Sequence, residues 1–209
     1  MDTGGHGFNP AAKEHGECNK VGRGWYGRLM DKWFITLQTD EFFNLDYDRT
    51  LKSNESASFS ETSFDVSPKI IWRQTASCLR ATIDTERRWF RNTIQCAYVK
   101  EAYKARLDIH YVLGVINSRY IQHAYNALVK EAGRVFPQVK LTHVKKLPLV
   151  IPEKSKQKEI ADVVKQILAA KQRDAEADTS ALEREIDELV YALYGLTPEA
   201  KALVQAAAK

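Results

Sequence analysis

Residues 69–99 read KIIWRQTASCLRATIDTERRWFRNTIQCAYV. Three runs stand out: KIIWRQT (69–75), LRATID (79–84) and FRNTIQCAYV (90–99), all rich in Ile, Val, Thr, Trp and Phe. Such β-branched and aromatic side chains suit a pleated, half-buried surface. The connections between them, residues 76–78 and 85–88, are short, and strands joined this way predict a small antiparallel meander. Alternation puts Ile71, Arg73 and Thr75 on one face and Ile70, Trp72 and Gln74 on the other. Both faces are mixed, which predicts a sheet covered on one side and wet on the other.

Upstream the pattern weakens. Residues 1–28 are Gly-rich, contain Pro10 and show no hydrophobic period before Trp25, so an irregular lead-in is expected. The apolar run 33–37 (WFITL) reads as a short strand, and the Ser-rich stretch 52–63 as a loop. Downstream, Val112, Val115, Ile116, Tyr120, Ala124 and Leu128 recur at helical spacing within 109–130. In the run FPQVKLTHVKKLPLVIP (136–152), Pro137, Pro148 and Pro152 argue against a helix and the Val and Leu positions suggest extended strands.

The last third reads as helix. Ile160, Val163, Val164, Ile167 and Leu168 form one stripe, and Leu182, Ile186, Leu189, Val190 and Leu193 a second. Ser155 is a candidate N-cap, Gly195 a candidate stop, and Thr197-Pro198-Glu199 a fresh helix start. Between the stripes, residues 171–181 are polar but free of Gly and Pro. Two outcomes follow, a hairpin or one helix over 156–194 of about 58 Å whose stripe needs a partner to cover it. The fold class expected is α+β: a small, mostly antiparallel sheet with packed helices, followed by a long C-terminal helix or helical hairpin. The expected organisation is a lead-in (1–30), an α+β domain (31–152) and a helical docking or dimerisation region (153–209).

Charge is segregated along the chain. Lys and Arg outnumber Asp and Glu by 18 to 6 over residues 69–158, a net of +12, whereas 1–68 and 159–209 each carry a net of −4. A basic middle between acidic ends points to a polyanionic partner, DNA or RNA above all. No apolar run is long enough for a membrane helix and the N-terminus lacks a secretory pattern, so no membrane association is expected. Cys18, Cys78 and Cys96 are odd in number and without CxxC spacing, which speaks against a disulfide scaffold and fits the cytoplasm.

No catalytic signature in the chain is convincing. His6, His15 and Cys18 offer three metal donors without a fourth. Glu101 and Lys104 have the wrong spacing for a magnesium nuclease, and there is no GxSxG. Of the aromatic residues, Trp72 and Trp89, flanking the sheet runs, are expected in the core rather than stacked on bases.

The order of these segments is similar to a known family. The KIIWRQT…LRATID…RNTIQCAYV runs, the helix YVLGVINSRYIQHAY, the run FPQVKLTHVKKLPLVIP, the helix SKQKEIADVVKQIL and the closing EIDELVYALYGLTPE resemble, over about 69–198, the TaqI-like C-terminal specificity domain. Such domains occur in adenine-N6 DNA methyltransferases and type IIG restriction enzymes, and are related to type I specificity subunits. The resemblance implies a target-recognition domain that grips double-stranded DNA in the major groove. A separate methyltransferase domain or subunit would hold S-adenosylmethionine and flip out the adenine. No cofactor is expected in this chain: there is no Asn-Pro-Pro-Tyr motif, since Asn9-Pro10 is followed by Ala11-Ala12, and no clear Gly-rich loop.

Candidate DNA-binding residues form two clusters. Arg73, Gln74, Arg80, Arg88, Arg91 and Asn92 lie in the sheet runs and their turns. Arg matches guanine O6 and N7, and Asn or Gln matches adenine N6 and N7. Lys140, His143, Lys145 and Lys146 form the second cluster, with lysines suited to phosphates, which orient without specifying. The expectation is a recognition module without chemistry of its own, docked through its C-terminal helices onto a methyltransferase or a second copy. The alternatives are the C-terminal part of a fused methyltransferase-endonuclease and a purely structural helical adaptor.

Overall fold

In a computed structural model, which describes residues 24–25, 33, 65–90, 94–129 and 138–207, the strand at Lys69–Arg73 is flanked on both sides. The described strands are β1 (Gly24–Trp25), β2 (Lys69–Arg73), β3 (Ala81–Asp84), β4 (Trp89–Phe90) and β5 (Ile94–Ala97). The described helices are α1 (Glu101–Lys104), α2 (Ile109–Asn117), α3 (Arg119–Leu128), α4 (Leu141–Val144), α5 (Lys154–Arg173), α6 (Ser180–Leu193) and α7 (Pro198–Ala206). The fold is α+β, with a three-stranded antiparallel sheet and a C-terminal helical hairpin.

The sheet is not a meander. Its order is β3-β2-β5, so β5 crosses to the far side of β2 and sets Cys96 against Ile71, while β3 sets Thr82 against the same residue. Two causes are visible. Ile70, Ile71 and Trp72 are all buried, so β2 is covered on both faces and takes the central place; the expected wet face is absent until Arg73. At the outer edge of β3 the backbone of Ala81 is already bonded by the Asn117 side chain of α2 and by Trp33 N–H. Gly24–Trp25, expected in an irregular lead-in, pairs in parallel with β4. Trp33 is buried with a left-handed backbone, φ 70°, and its N–H donates to Ala81 O at 3.3 Å, so no regular strand starts at that residue. The rest of the expected lead-in, strand 33–37 and loop 52–63 lie outside the described residues, as do His6, His15 and Cys18.

The long helix expected over 109–130 breaks at Ser118. There ψ is 152°; the hydroxyl accepts from Ile121 N–H at 3.3 Å and donates to Val115 O at 2.7 Å, ending α2 and capping α3. The helix α2 is buried nearly all round through Tyr111, Val112, Leu113 and Val115, whereas Leu128, at the end of the expected stripe, is exposed. Between 138 and 152 the expected strands reduce to one bridge, Thr75–Gln138, followed by the short α4 and an extended run.

The C-terminal stripes form a hairpin, not one unbroken helix. Asp174 accepts from Glu176 N–H and Asp178 from Ser180 N–H, both at 2.9 Å, and these side-chain bonds interrupt the helix without Gly or Pro. The hairpin belongs to the domain core: Ile160, Val163, Val164 and Ile167 pack with Ile186, Val190 and the residues of α2. Gly114 allows that close approach, since a Cβ there would lie 2.7 Å from Ile160 Cγ2 and 2.9 Å from Val164 Cγ2. Ser155 does not cap α5; Glu153 holds that position without a side-chain bond. Gly195 ends α6 at φ 64°, with Leu196 N–H donating to Tyr191 O, and Thr197 caps α7 with Pro198 in its first turn. Among the described residues no helix is long and apolar enough to cross a membrane.

Candidate nucleic-acid interface

The end of β2 carries Arg73 and Gln74 of the first sequence cluster, and the chain beyond residue 138 is tied directly to it. Val139 N–H donates to Gln74 O at 2.6 Å, and Thr75 bridges Gln138. Tyr125 OH, from the buried side of α3, donates to Gln138 O at 3.3 Å. These bonds bring Arg73 and Gln74 beside the segment that bears Lys140, His143, Lys145 and Lys146. Arg73 and Gln74 therefore lie, at one end of the sheet, beside a segment some 65 residues further along the sequence.

The basic segment is shaped by α4. Lys140, half-buried, holds the N-cap position, and its carbonyl accepts from His143 N–H at 3.0 Å and Val144 N–H at 3.1 Å. His143 stands edge-on to the Tyr125 ring, centroids 6.5 Å apart, and its Nδ1 is buried without a hydrogen-bond partner among the described residues. Lys145 and Lys146 follow in an exposed turn. Among the described residues no carboxylate forms an ion pair with Arg73, Lys145 or Lys146.

Arg80 is exposed between two buried neighbours, Leu79 and Ala81. Trp72 pairs with Ala81 in the sheet register, and Arg73 and Arg80 are the residues next to that last pair.

Arg88 has a different place. Its Nη1 is 2.7 Å from Asp84 Oδ1 and its Nη2 is 2.6 Å from Glu86, and the side chain is only 10% exposed. Asp84 also accepts the backbone N–H of Arg88 at 2.9 Å and pairs with Lys69 Nζ at 3.2 Å. Arg88 thus neutralises a buried carboxylate and closes the 84–88 turn. Burial pulls the Lys69 ammonium below the usual lysine range, opposed by the Asp84 charge, and burial pushes the Cys96 thiol up. Arg91 and Asn92 lie outside the described residues.

Sequence reasoning missed Asn117 and Gln122, which bind the backbone on either side of Arg80. The available signal was Asn117 itself, a polar residue inside an otherwise apolar helical run. Glu101 and Lys104 pair with each other at 2.7 Å on an exposed surface.

The family model described as the TaqI-like C-terminal specificity domain matches residues 31–149. That segment is more than half of the chain, holds all ten candidate residues and stops short of α5. No curated protein matches the chain.

Proposed function

Because the chain belongs to the TaqI-like C-terminal specificity domain family, we propose that it is the sequence-specific double-stranded DNA recognition module of a restriction-modification adenine-N6 methyltransferase, without catalysis of its own. The observation that carries this reading is the Val139–Gln74 bond with its neighbouring bridge. It sets Arg73 and Gln74, suited to base edges, beside a lysine-bearing segment suited to phosphates, Lys140, Lys145 and Lys146, with His143 between, and Arg80 is proposed to extend the reading side. Arg91 and Asn92 remain part of the proposed reading surface. Arg88 serves the fold of that surface instead.

S-Adenosylmethionine would be held by a methyltransferase domain or subunit outside this chain, and the family's description as a C-terminal domain supports such a neighbour. The hairpin of α5 and α6 buries its apolar stripes internally. Its outer surface, with exposed Lys154, Lys158, Glu159, Arg184 and Glu188, is left to meet the methyltransferase or a second copy through polar contacts.

Selection from a randomised duplex library at two salt concentrations tests the reading. Enrichment of one sequence, with affinity falling steeply as salt rises, is the expected result. Equal retention of all sequences would reduce the protein to a phosphate binder. Calorimetric binding of S-adenosylmethionine to the chain alone would favour an enzyme over a recognition module.

A further inference from the structure

Arg80 projects from a backbone held on both flanks by side-chain amides. Leu79 N–H donates to Gln122 Oε1 at 3.2 Å, and Gln122 Nε2 donates back to Leu79 O. Ala81 N–H donates to Asn117 Oδ1 at 2.9 Å, and Asn117 Nδ2 donates back to Ala81 O at 2.9 Å. A primary amide offers the donor and acceptor of a peptide group. In a strand, alternate residues turn their backbone polar groups to the same side. Two amides therefore stand where a further strand would pair, along the outer edge of the 79–81 segment.

The Ser118 break makes this possible. Asn117 ends α2 and Gln122 lies a turn into α3. In one continuous helix the two would project in different directions (about 140° apart at 100° per residue); the break turns both onto one edge. The residues they grip are those flanking Arg80, and Leu79 and Ala81 are themselves buried. On the other side of the sheet, Arg73 is held by its pairing with Ile94.

We propose that Asn117 and Gln122 are positioning residues for DNA recognition, fixing the backbone from which Arg80 reads a base. The inference rests on the recognition function proposed above. A bidentate contact of an arginine with a base tolerates displacement of only about 0.5 Å, and a long side chain gains that precision only from a rigid base. Loss of an amide would release the 79–81 edge and leave Arg80 able to neutralise phosphate without discriminating bases.

The test is a double-mutant cycle in the full 209-residue chain. Wild type, Arg80→Ala, Gln122→Ala and the double variant are titrated with the duplex that wild type selects from a randomised library and with a scrambled duplex of equal composition. Gln122→Ala is expected to lower the preference for the selected duplex about tenfold. Its affinity for the scrambled duplex should stay within about twofold of wild type, and it should cost nothing further once Arg80 is alanine. Gln122→Glu keeps the acceptor for Leu79 N–H and removes the donor, so it should fall between, and it carries the same comparison if Gln122→Ala does not fold. Discrimination lost in Arg80→Ala but kept in the Gln122 variants, or losses that simply add in the double variant, would overturn the inference. Absence of discrimination by the wild type would overturn the recognition reading, and this inference with it.

Discussion

Lys69 and Asp84 face each other across β2 and β3 as an ion pair with no solvent exposure on either side chain, Nζ to Oδ2 3.2 Å. The carboxylate is the more constrained partner, because it also holds Arg88 Nη1 at 2.7 Å and accepts from Glu86 N–H at 3.1 Å and Arg88 N–H at 2.9 Å. Removing it takes from a buried ammonium its carboxylate and from Arg88 both a side-chain and a backbone bond, whereas removing Lys69 leaves Asp84 with Arg88. Asp84→Ala is expected to cost about 3–5 kcal/mol and Lys69→Met distinctly less, read by urea unfolding. Equal losses would mean that the 84–88 turn does not depend on the carboxylate.

The same pair yields a pH dependence of known sign. Burial lowers the Lys69 pKa below its ordinary value of 10.5. Between the folded value and 10.5 the unfolded chain binds a proton that the folded chain does not, so stability rises with pH across that window. The contribution is fully present above the unfolded value and lost as pH falls through the folded one. Wild type should therefore gain on Lys69→Met as unfolding is measured from neutral pH upward. A stability difference that is flat over that range would refute the lowered pKa.

Gly114 sets how closely α2 and α5 approach. A methyl there would sit 2.7 Å from Ile160 Cγ2 and 2.9 Å from Val164 Cγ2. Alanine improves helix propensity by about 1 kcal/mol, while overpacking a core costs about 1–3 kcal/mol, more when both neighbours are held. Both isoleucine and valine are buried in the shared core, so Gly114→Ala should destabilise. Combining it with Val164→Ala, which removes one of the two clashing methyls, should cost less than the sum of the single changes in the same unfolding measurement.

The strands over 69–97 were legible because β-branched runs declare themselves locally. Their order was not, since the edge at 79–81 is taken up by Asn117 and Gln122, supplied by helices further along the chain, and by Trp33 N–H. Periodicity carried the expected helix straight through Ser118, because one cap leaves the apolar spacing intact; only the hydroxyl's bonds to Val115 and Ile121 mark the break. The hairpin was open to either outcome until Asp174 and Asp178 bonded the turn backbone. In the candidate site, residue type was readable but company was not. Arg88 and Arg80 look alike in sequence, and they part in exposure, with Arg88 buried against Asp84 and Arg80 exposed between two buried neighbours.

That division makes the arginines and lysines separable by experiment. Lys145 and Lys146 lie exposed after α4, and no carboxylate among the described residues forms an ion pair with them. Lysines of this kind act on phosphate, so replacing both by alanine should weaken selected and scrambled duplexes alike. The slope of log affinity against log salt should fall by about 1.8, at about 0.9 for each phosphate no longer neutralised. Arg73→Ala, by contrast, should lose about 1–3 kcal/mol on the selected duplex and relax the base preference at one position. Arg88→Ala should appear chiefly in the unfolding curve, because it strips a buried carboxylate of a 2.7 Å partner. If Arg88→Ala folds as wild type and loses base discrimination instead, then Arg88 leaves Asp84 when DNA binds, and the surface that reads DNA includes the 84–88 turn.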